Sequence, residues 1–121
     1  MLPTEQRLRN NRDFRAIYAR GRSYVHPLAV LYSVRRTGDA VTAAPGRRIG
    51  FVVSKKQGDA VVRNRIKRRL REAVRLRLSD LRDGPYDVIF VGRGRLKTAL
   101  WSEVQAAVDE LLRRAGLFRE G

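Results

Sequence analysis

The chain has 121 residues, 43% of them hydrophobic, no cysteine, and 27 Lys and Arg against 12 Asp and Glu, for a formal net charge of +15. That length predicts one domain burying roughly two-thirds of its unfolded surface, while the missing cysteines exclude a disulfide frame and a thiolate metal site and fit a reducing cytoplasm. No stretch is long and apolar enough to span a membrane, residues Met1 to Arg7 lack a secretory hydrophobic region, and so large a charge is tolerable when a polyanionic partner neutralises it.

Asn11 is placed to cap a helix whose Phe14, Ile17 and Tyr18 share one face, with Gly21 as its stop. Ser23 to His26 reads as a short strand before Pro27, and Leu28 to Arg35 as a longer one rich in β-branched and aromatic residues. Thr37 to Arg47 contains Gly38, Pro45 and Gly46 without a period, a loop that is long for a hairpin. A strand resumes over Ile49 to Ser54, where Gly50 marks a bulge or a close backbone approach. Val62, Ile66, Leu70, Ala73 and Val74 then recur at helical spacing, predicting an amphipathic helix that runs to about Leu81. After the turn Asp83-Gly84-Pro85, Tyr86 to Gly92 is a nearly continuous apolar strand, which predicts burial on both faces. Trp101, Val104, Val108, Leu111 and Leu112 stripe a last helix that stops at Gly116. The order α-β-β-β-α-β-α predicts an α+β sandwich, a four-stranded sheet with three helices covering mainly one side. The other face, partly open, is where a ligand is expected.

The second helix carries the strongest signal. Between Arg63 and Arg77 eight cationic side chains accompany one acid, and Asn64, Arg68, Arg71 and Arg75 fall opposite the apolar stripe. Guanidinium groups in fixed register suit the charge spacing of a phosphate backbone and offer forked donors to its oxygens. A solvated face without a partner ordinarily alternates its charges, and an unrelieved row repels itself. A basic helix can also lie on anionic lipid. Here the stripe is aliphatic, lacks Trp and Phe, and belongs to a chain that supplies other elements to cover it, so membrane binding is a minor alternative.

Catalytic groups are scarce. The single histidine, His26, sits beside Pro27 and reads as a surface or turn residue. No Cys/His cluster has zinc spacing, Gly92-Arg93-Gly94-Arg95 is too short a glycine pattern to define a nucleotide cradle, and the scattered acids lack the grouping of a two-metal nuclease. Asp109 and Glu110, adjacent on the last helix, read as solubilising. Any reaction would therefore be carried by a nucleic acid or another subunit. Phe14 and Tyr18, four residues apart, and Tyr32 in mid-strand would ordinarily be core. Beside a basic surface they also suit unpaired bases, which stack on exposed rings while neighbouring cations take the phosphates.

The run Val53-Ser-Lys-Lys-Gln-Gly-Asp-Ala-Val-Val-Arg-Asn-Arg-Ile-Lys-Arg-Arg-Leu-Arg-Glu72 resembles the signature of the protein component of bacterial ribonuclease P, centred on its Arg-Asn-Arg motif. Arg7-Leu8, Asp13-Phe14-x-x-x-Tyr18-x-x-Gly21, Leu31-Tyr32 and Tyr86-Asp87-Val88 extend the resemblance over nearly the whole chain; Asp59 departs from it, standing where the family often has a neutral or basic residue. The resemblance implies an RNA-binding subunit of an endoribonuclease whose large RNA subunit is the catalyst, removing the 5′ leader of precursor tRNA by magnesium-assisted hydrolysis. It implies that Arg63, Asn64, Arg65, Lys67, Arg68 and Arg71 dock on the RNA subunit. Phe14, Tyr18 and Tyr32 would line a leader cleft between the first helix and the sheet, with Lys55 and Lys56 reaching a leader phosphate or the RNA subunit. It further implies a left-handed β-α-β crossover, as in the second domain of ribosomal protein S5. Magnesium would be bound mainly by RNA and not by the protein alone, which is expected to be a cytoplasmic monomer without catalytic residues or membrane contact. Two other classes stay open: a ribosomal protein with structural duties and a stand-alone metal nuclease.

Overall fold

The computed structural model describes residues 11–39, 41 and 46–119, and of residues 11–13 the backbone alone. Its elements are α1 (Asn11–Arg20), β1 (Arg22–Val25), β2 (Ala29–Arg35), β3 (Arg48–Val53), α2 (Ala60–Arg75), β4 (Tyr86–Gly92) and α3 (Trp101–Arg114), with 3-10 turns at Lys55–Gln57, Leu78–Asp80 and Gly94–Lys97. The α-β-β-β-α-β-α order expected from the sequence is the order observed. Arg7 and Leu8 lie outside the described residues, as do the side chains of Asp13 and of Asn11, the expected cap.

The apolar strand β4 is interior because it has a neighbour on each side. The sheet order is β1-β2-β4-β3, antiparallel between β1 and β2 and between β2 and β4, and parallel between β4 and β3. Every residue of β4 except half-buried Val91 is buried. The parallel register passes unbroken through Gly50↔Ile89, so Gly50 marks no bulge.

Alternation along the strands sends side chains into two layers of unequal size. On one face, Leu31, Ile49, Val88 and Phe90 pack against Ile66, Leu70, Ala73 and Val74 of α2 and Val104, Val108, Leu111 and Leu112 of α3. On the other, Ile89 packs on Ile17 of α1, with Phe14, Tyr32, Val34, Val52 and Val91 around them. Two helices therefore cover one face and α1 covers the second. α1 stops where Gly21 donates its N–H to the Ile17 carbonyl at 2.7 Å. A Cβ on Gly21 would lie 2.5 Å from that oxygen, so a side chain there would block the turn into β1.

Three expectations need correction. The basic helix ends at Arg75, not near Leu81; Leu76 caps it, a 3-10 turn follows, and Leu81 is buried as an isolated bridge to Phe118. Apolar residues past Arg75 thus reach the core without continuing the helix. Trp101, placed on the core stripe by its spacing, is 38% exposed because α3 begins beyond the edge of the core. Asp109 and Glu110 are not merely solubilising: Arg77 donates to both carboxylate oxygens of Asp109, joining the segment after α2 to α3, while Glu110 lies within ion-pair distance of Arg114. A further ion group was invisible in the sequence. Asp87 on β4 accepts from Arg36 after β2 and, through both oxygens, from Arg48 on β3 at 3.0 and 2.9 Å.

Candidate nucleic-acid interface

The basic helix is fixed at its start by a capping acid. Asp59 is the N-cap of α2, its carboxylate accepting the Val62 N–H at 3.0 Å. This satisfies one unpaired donor of the first turn and sets an anion against the positive helix end. Just before it, Ser54 caps the 3-10 turn by accepting the Lys56 N–H at 3.2 Å, which holds Lys55 and Lys56 exposed at the end of β3.

Residues of α2 divide among three directions. Asn64, Arg65 and Arg68 are exposed, as is Arg75, which donates to Glu72 at 2.9 Å. That pairing holds the Glu72 carboxyl below its usual range and raises Arg75. Arg71 leans toward β3, with its guanidinium carbon 5.6 Å from the Phe51 ring centroid. Arg63 is half-buried, and its Nε is buried without a hydrogen-bond partner among the described residues. Lys67 turns into a cleft of about 550 Å³ that it lines with Phe14, Arg15, Tyr18, Phe51, Val52 and Val53. The cleft follows the outer edge of β3, with α1 on one side and α2 on the other.

Among the described residues, two cations and three rings line this cleft and no acid does. Tyr18, 41% exposed, stands at its wall, and Tyr32 meets it from β2. Burial, with Tyr32 beside it, pushes the Tyr18 phenol above its ordinary range, so it remains a neutral hydroxyl at physiological pH. Phe51 and Phe90 stack with centroids 5.8 Å apart. This combination suits a single strand, whose bases stack on rings while its phosphates meet cations.

Phe14 and Tyr18 thus come together in the cleft, whereas Tyr32 sits behind Tyr18 and does not line it. Lys67, expected among the residues that dock on the RNA subunit, is in the cleft wall, and Arg71 lies over Phe51, which lines the cleft. Phe51, Arg15, Val52 and Val53 were missed. Phe51 looked like one more apolar residue of a strand, and only the edge position of β3 exposes it to the cleft. His26 is a turn residue, its Nδ1 accepting the Leu28 N–H at 3.0 Å. Among the described residues no group of three or more His, Cys, Asp or Glu could hold a metal ion.

An α+β sandwich with a capped cationic helix beside an aromatic cleft along one sheet edge is the class that fold and site define. Residues 2–116 match the family model for ribonuclease P, and the chain belongs to the ribonuclease P protein family. It is 41% identical over 113 residues to the ribonuclease P protein component of Clostridium novyi, covering 93% of this chain and 96% of that protein. The structure of the Staphylococcus aureus RNase P protein is similar, with a TM-score of 0.79 at 31% identity, covering 94% of this chain and 98% of the other. A mutant S. aureus RNase P protein, described as having defective mRNA degradation activity, gives the same TM-score and identity over 93% of this chain and 90% of its own.

Proposed function

We propose that this protein is the RNA-binding subunit of ribonuclease P. The exposed row of α2 docks on the catalytic RNA, and the cleft between α1 and the β3 edge holds the single-stranded 5′ leader of precursor tRNA. Arg63, Asn64, Arg65, Arg68 and Arg71 serve the first contact. Phe14 and Tyr18, backed by Tyr32 and joined by Phe51 and Lys67, serve the second. Lys55 and Lys56 lie at the end of β3, where they can take phosphates of either strand. The observation that supports this reading best is a cleft that brings rings and cations together, beside a helix whose charges are held in register.

The resemblance to the ribonuclease P protein component supports assigning the chemistry to the RNA subunit, with magnesium bound mainly by RNA. The protein's work is to hold the substrate and to screen phosphate repulsion between two RNAs, which allows cleavage at lower magnesium. No helix of the described residues is long and apolar enough to cross a membrane, and the reading places the protein in the cytoplasm as a monomer.

Reconstitution with a bacterial ribonuclease P RNA tests this. The protein should lower the magnesium needed for 5′ processing and bind precursor tRNA, with the RNA subunit, more tightly than mature tRNA. Equal affinity for the two would remove the leader role, and preferential capture of ribosomal RNA would favour the ribosomal alternative. The mutant S. aureus relative makes the protein freed of RNA an essential control. It should cleave neither precursor tRNA nor an mRNA fragment, and cleavage abolished by replacing one acid would move the chemistry onto the protein.

A further inference from the structure

Trp101 is the single tryptophan of the chain. It is 38% exposed in the first turn of α3, and Leu100 before it is 67% exposed. Its spacing of three and seven from buried Val104 and Val108 puts it on the core stripe, one turn past the point where the core ends. Among the described residues the indole enters no ring–ring or cation–ring contact and its N–H makes no hydrogen bond. A large ring, which burial would stabilise, is left at the surface.

Its surroundings are cationic. Arg69 of α2 donates to the carbonyl of Leu96 and, at 2.5 Å, to that of Ala99, clamping the start of α3 against one flank of α2. Arg65 is exposed one turn earlier on that flank, and Lys97 is exposed four residues before the indole. None of these three cations forms an ion pair among the described residues. Two acids on these helices are engaged: Glu103, two residues after the indole, accepts the Leu100 N–H at 2.7 Å, and Glu72 of α2 is held by Arg75. The opposite flank of α2, with Lys67 and Arg71, faces the leader cleft. The cationic helix therefore stands between two aromatic sites.

We propose that Trp101 is a stacking platform for an unpaired nucleobase of the RNA that docks along α2, with Arg65 and Lys97 taking the adjoining phosphates. This rests on the RNA-binding reading and adds a second grip that is independent of the leader. One indole and one leucine are far short of the roughly 800 Å² per partner that a stable protein interface buries. A base needs only one ring face. A second copy of a chain with charge +15 would be repelled from this cationic surface.

Because the chain has one tryptophan, emission excited selectively from the indole, apart from the four tyrosines, reports this site alone. The intact protein is titrated with a bacterial ribonuclease P RNA, binding being followed separately by the anisotropy of labelled RNA. Emission should be quenched, and the indole shielded from iodide, in step with binding, while a short single-stranded leader oligonucleotide leaves both unchanged. Trp101→Ala should weaken the RNA subunit's binding about 5- to 150-fold, the equivalent of one lost stack. Trp101→Tyr should restore most of it, and the preference for precursor over mature tRNA should persist in both variants. RNA that binds with emission and iodide access unaltered overturns the platform while leaving the RNA-binding reading intact. Absence of any RNA binding removes that reading and the platform with it. Shielding that grows with protein concentration without RNA assigns the site to a second copy instead.

Discussion

Tyr18 on α1 meets Tyr32 on β2 edge to face, with ring centroids 4.9 Å apart and planes at 90°. The contact makes Tyr32 a buttress and leaves Tyr18 standing in the cleft wall. Tyr18→Ala should weaken precursor tRNA binding by about 1–3 kcal/mol, the worth of one stacked base, and leave mature tRNA unaffected. Its stability loss should stay below the roughly 3–5 kcal/mol of emptying a buried aromatic site. Phe14→Ala should show both effects, since Phe14 lines the cleft and packs on the cluster of Ile17 and Ile89. Competition binding of the two tRNAs and thermal unfolding on each variant decide it. Equal weakening with a collapsed melting temperature would return the rings to the core. The raised Tyr18 pKa also has a sign: its stabilising share is complete below about pH 10 and is lost as pH rises through the folded value.

Arg68 and Arg71 belong to one row by spacing but differ in what they touch. Arg68 is exposed, whereas Arg71 lies over Phe51. Arg68→Ala should reduce the slope of log affinity against log salt by about 0.7–0.9 and leave stability within about 0.5 kcal/mol. Arg71→Ala should lose a similar slope and also about 0.5–1 kcal/mol of stability, through its cation–ring contact. A salt titration of RNA-subunit binding measures the slopes, and an unchanged slope in the double variant removes the row from the interface.

The two helices with long apolar stripes and the strand Tyr86–Gly92 were legible because burial on one face or both imposes a period that a short window can show. The stripe Val62, Ile66, Leu70, Ala73 and Val74 named the side of α2 that meets the sheet, and so the side that does not. Periodicity was silent on whatever joins distant residues. Asp87 is 51 positions from Arg36 and 39 from Arg48, and no local pattern links them. It also misled where an element ends: Leu78 and Leu81 fit a continuing helix, and Trp101 fits a core stripe that has already run out. Phe51 was hidden for a topological reason, since a strand's apolar residue lines a cleft when the strand is an edge, and strand order is not written in the strand.

Asp59 shows how one residue can look like a departure locally and still serve the helix. Asp59→Ala should cost about 0.5–2 kcal/mol by removing the N-cap, and Asp59→Asn, which keeps an acceptor for the Val62 N–H, should cost much less. If the RNA passes close to the start of α2, Asp59→Asn should also bind the RNA subunit more tightly, because a negative charge has left the path of the phosphates. Chemical denaturation and RNA affinity on both variants separate cap from charge. An equal stability loss for Asn and Ala would show that the cap contributes little.

Gly92 ends β4 directly beneath α2, opposite Val53. A Cβ placed there would lie 2.8 Å from Ile66 Cγ2, 3.1 Å from Val53 Cγ2 and 3.3 Å from Leu70 Cδ1. The first distance is too short for a carbon–carbon contact, so Gly92→Ala forces Ile66 to shift and strains the seat of α2 on the sheet. Overpacking of this kind costs about 1–3 kcal/mol, and here the strained element carries the cationic row and one wall of the cleft. Gly92→Ala should therefore lower stability and also weaken both RNA-subunit and precursor binding, although it alters no RNA-facing side chain. Ile66→Leu removes the offending Cγ2 at constant volume. Combined with Gly92→Ala it should recover part of both losses, giving a favourable coupling of roughly 0.5–3 kcal/mol between two contacting positions. Thermal unfolding of the four proteins in that cycle measures the coupling. Strictly additive losses, with affinity untouched, would show that the contact between Gly92 and Ile66 does not set the height of α2 above the sheet.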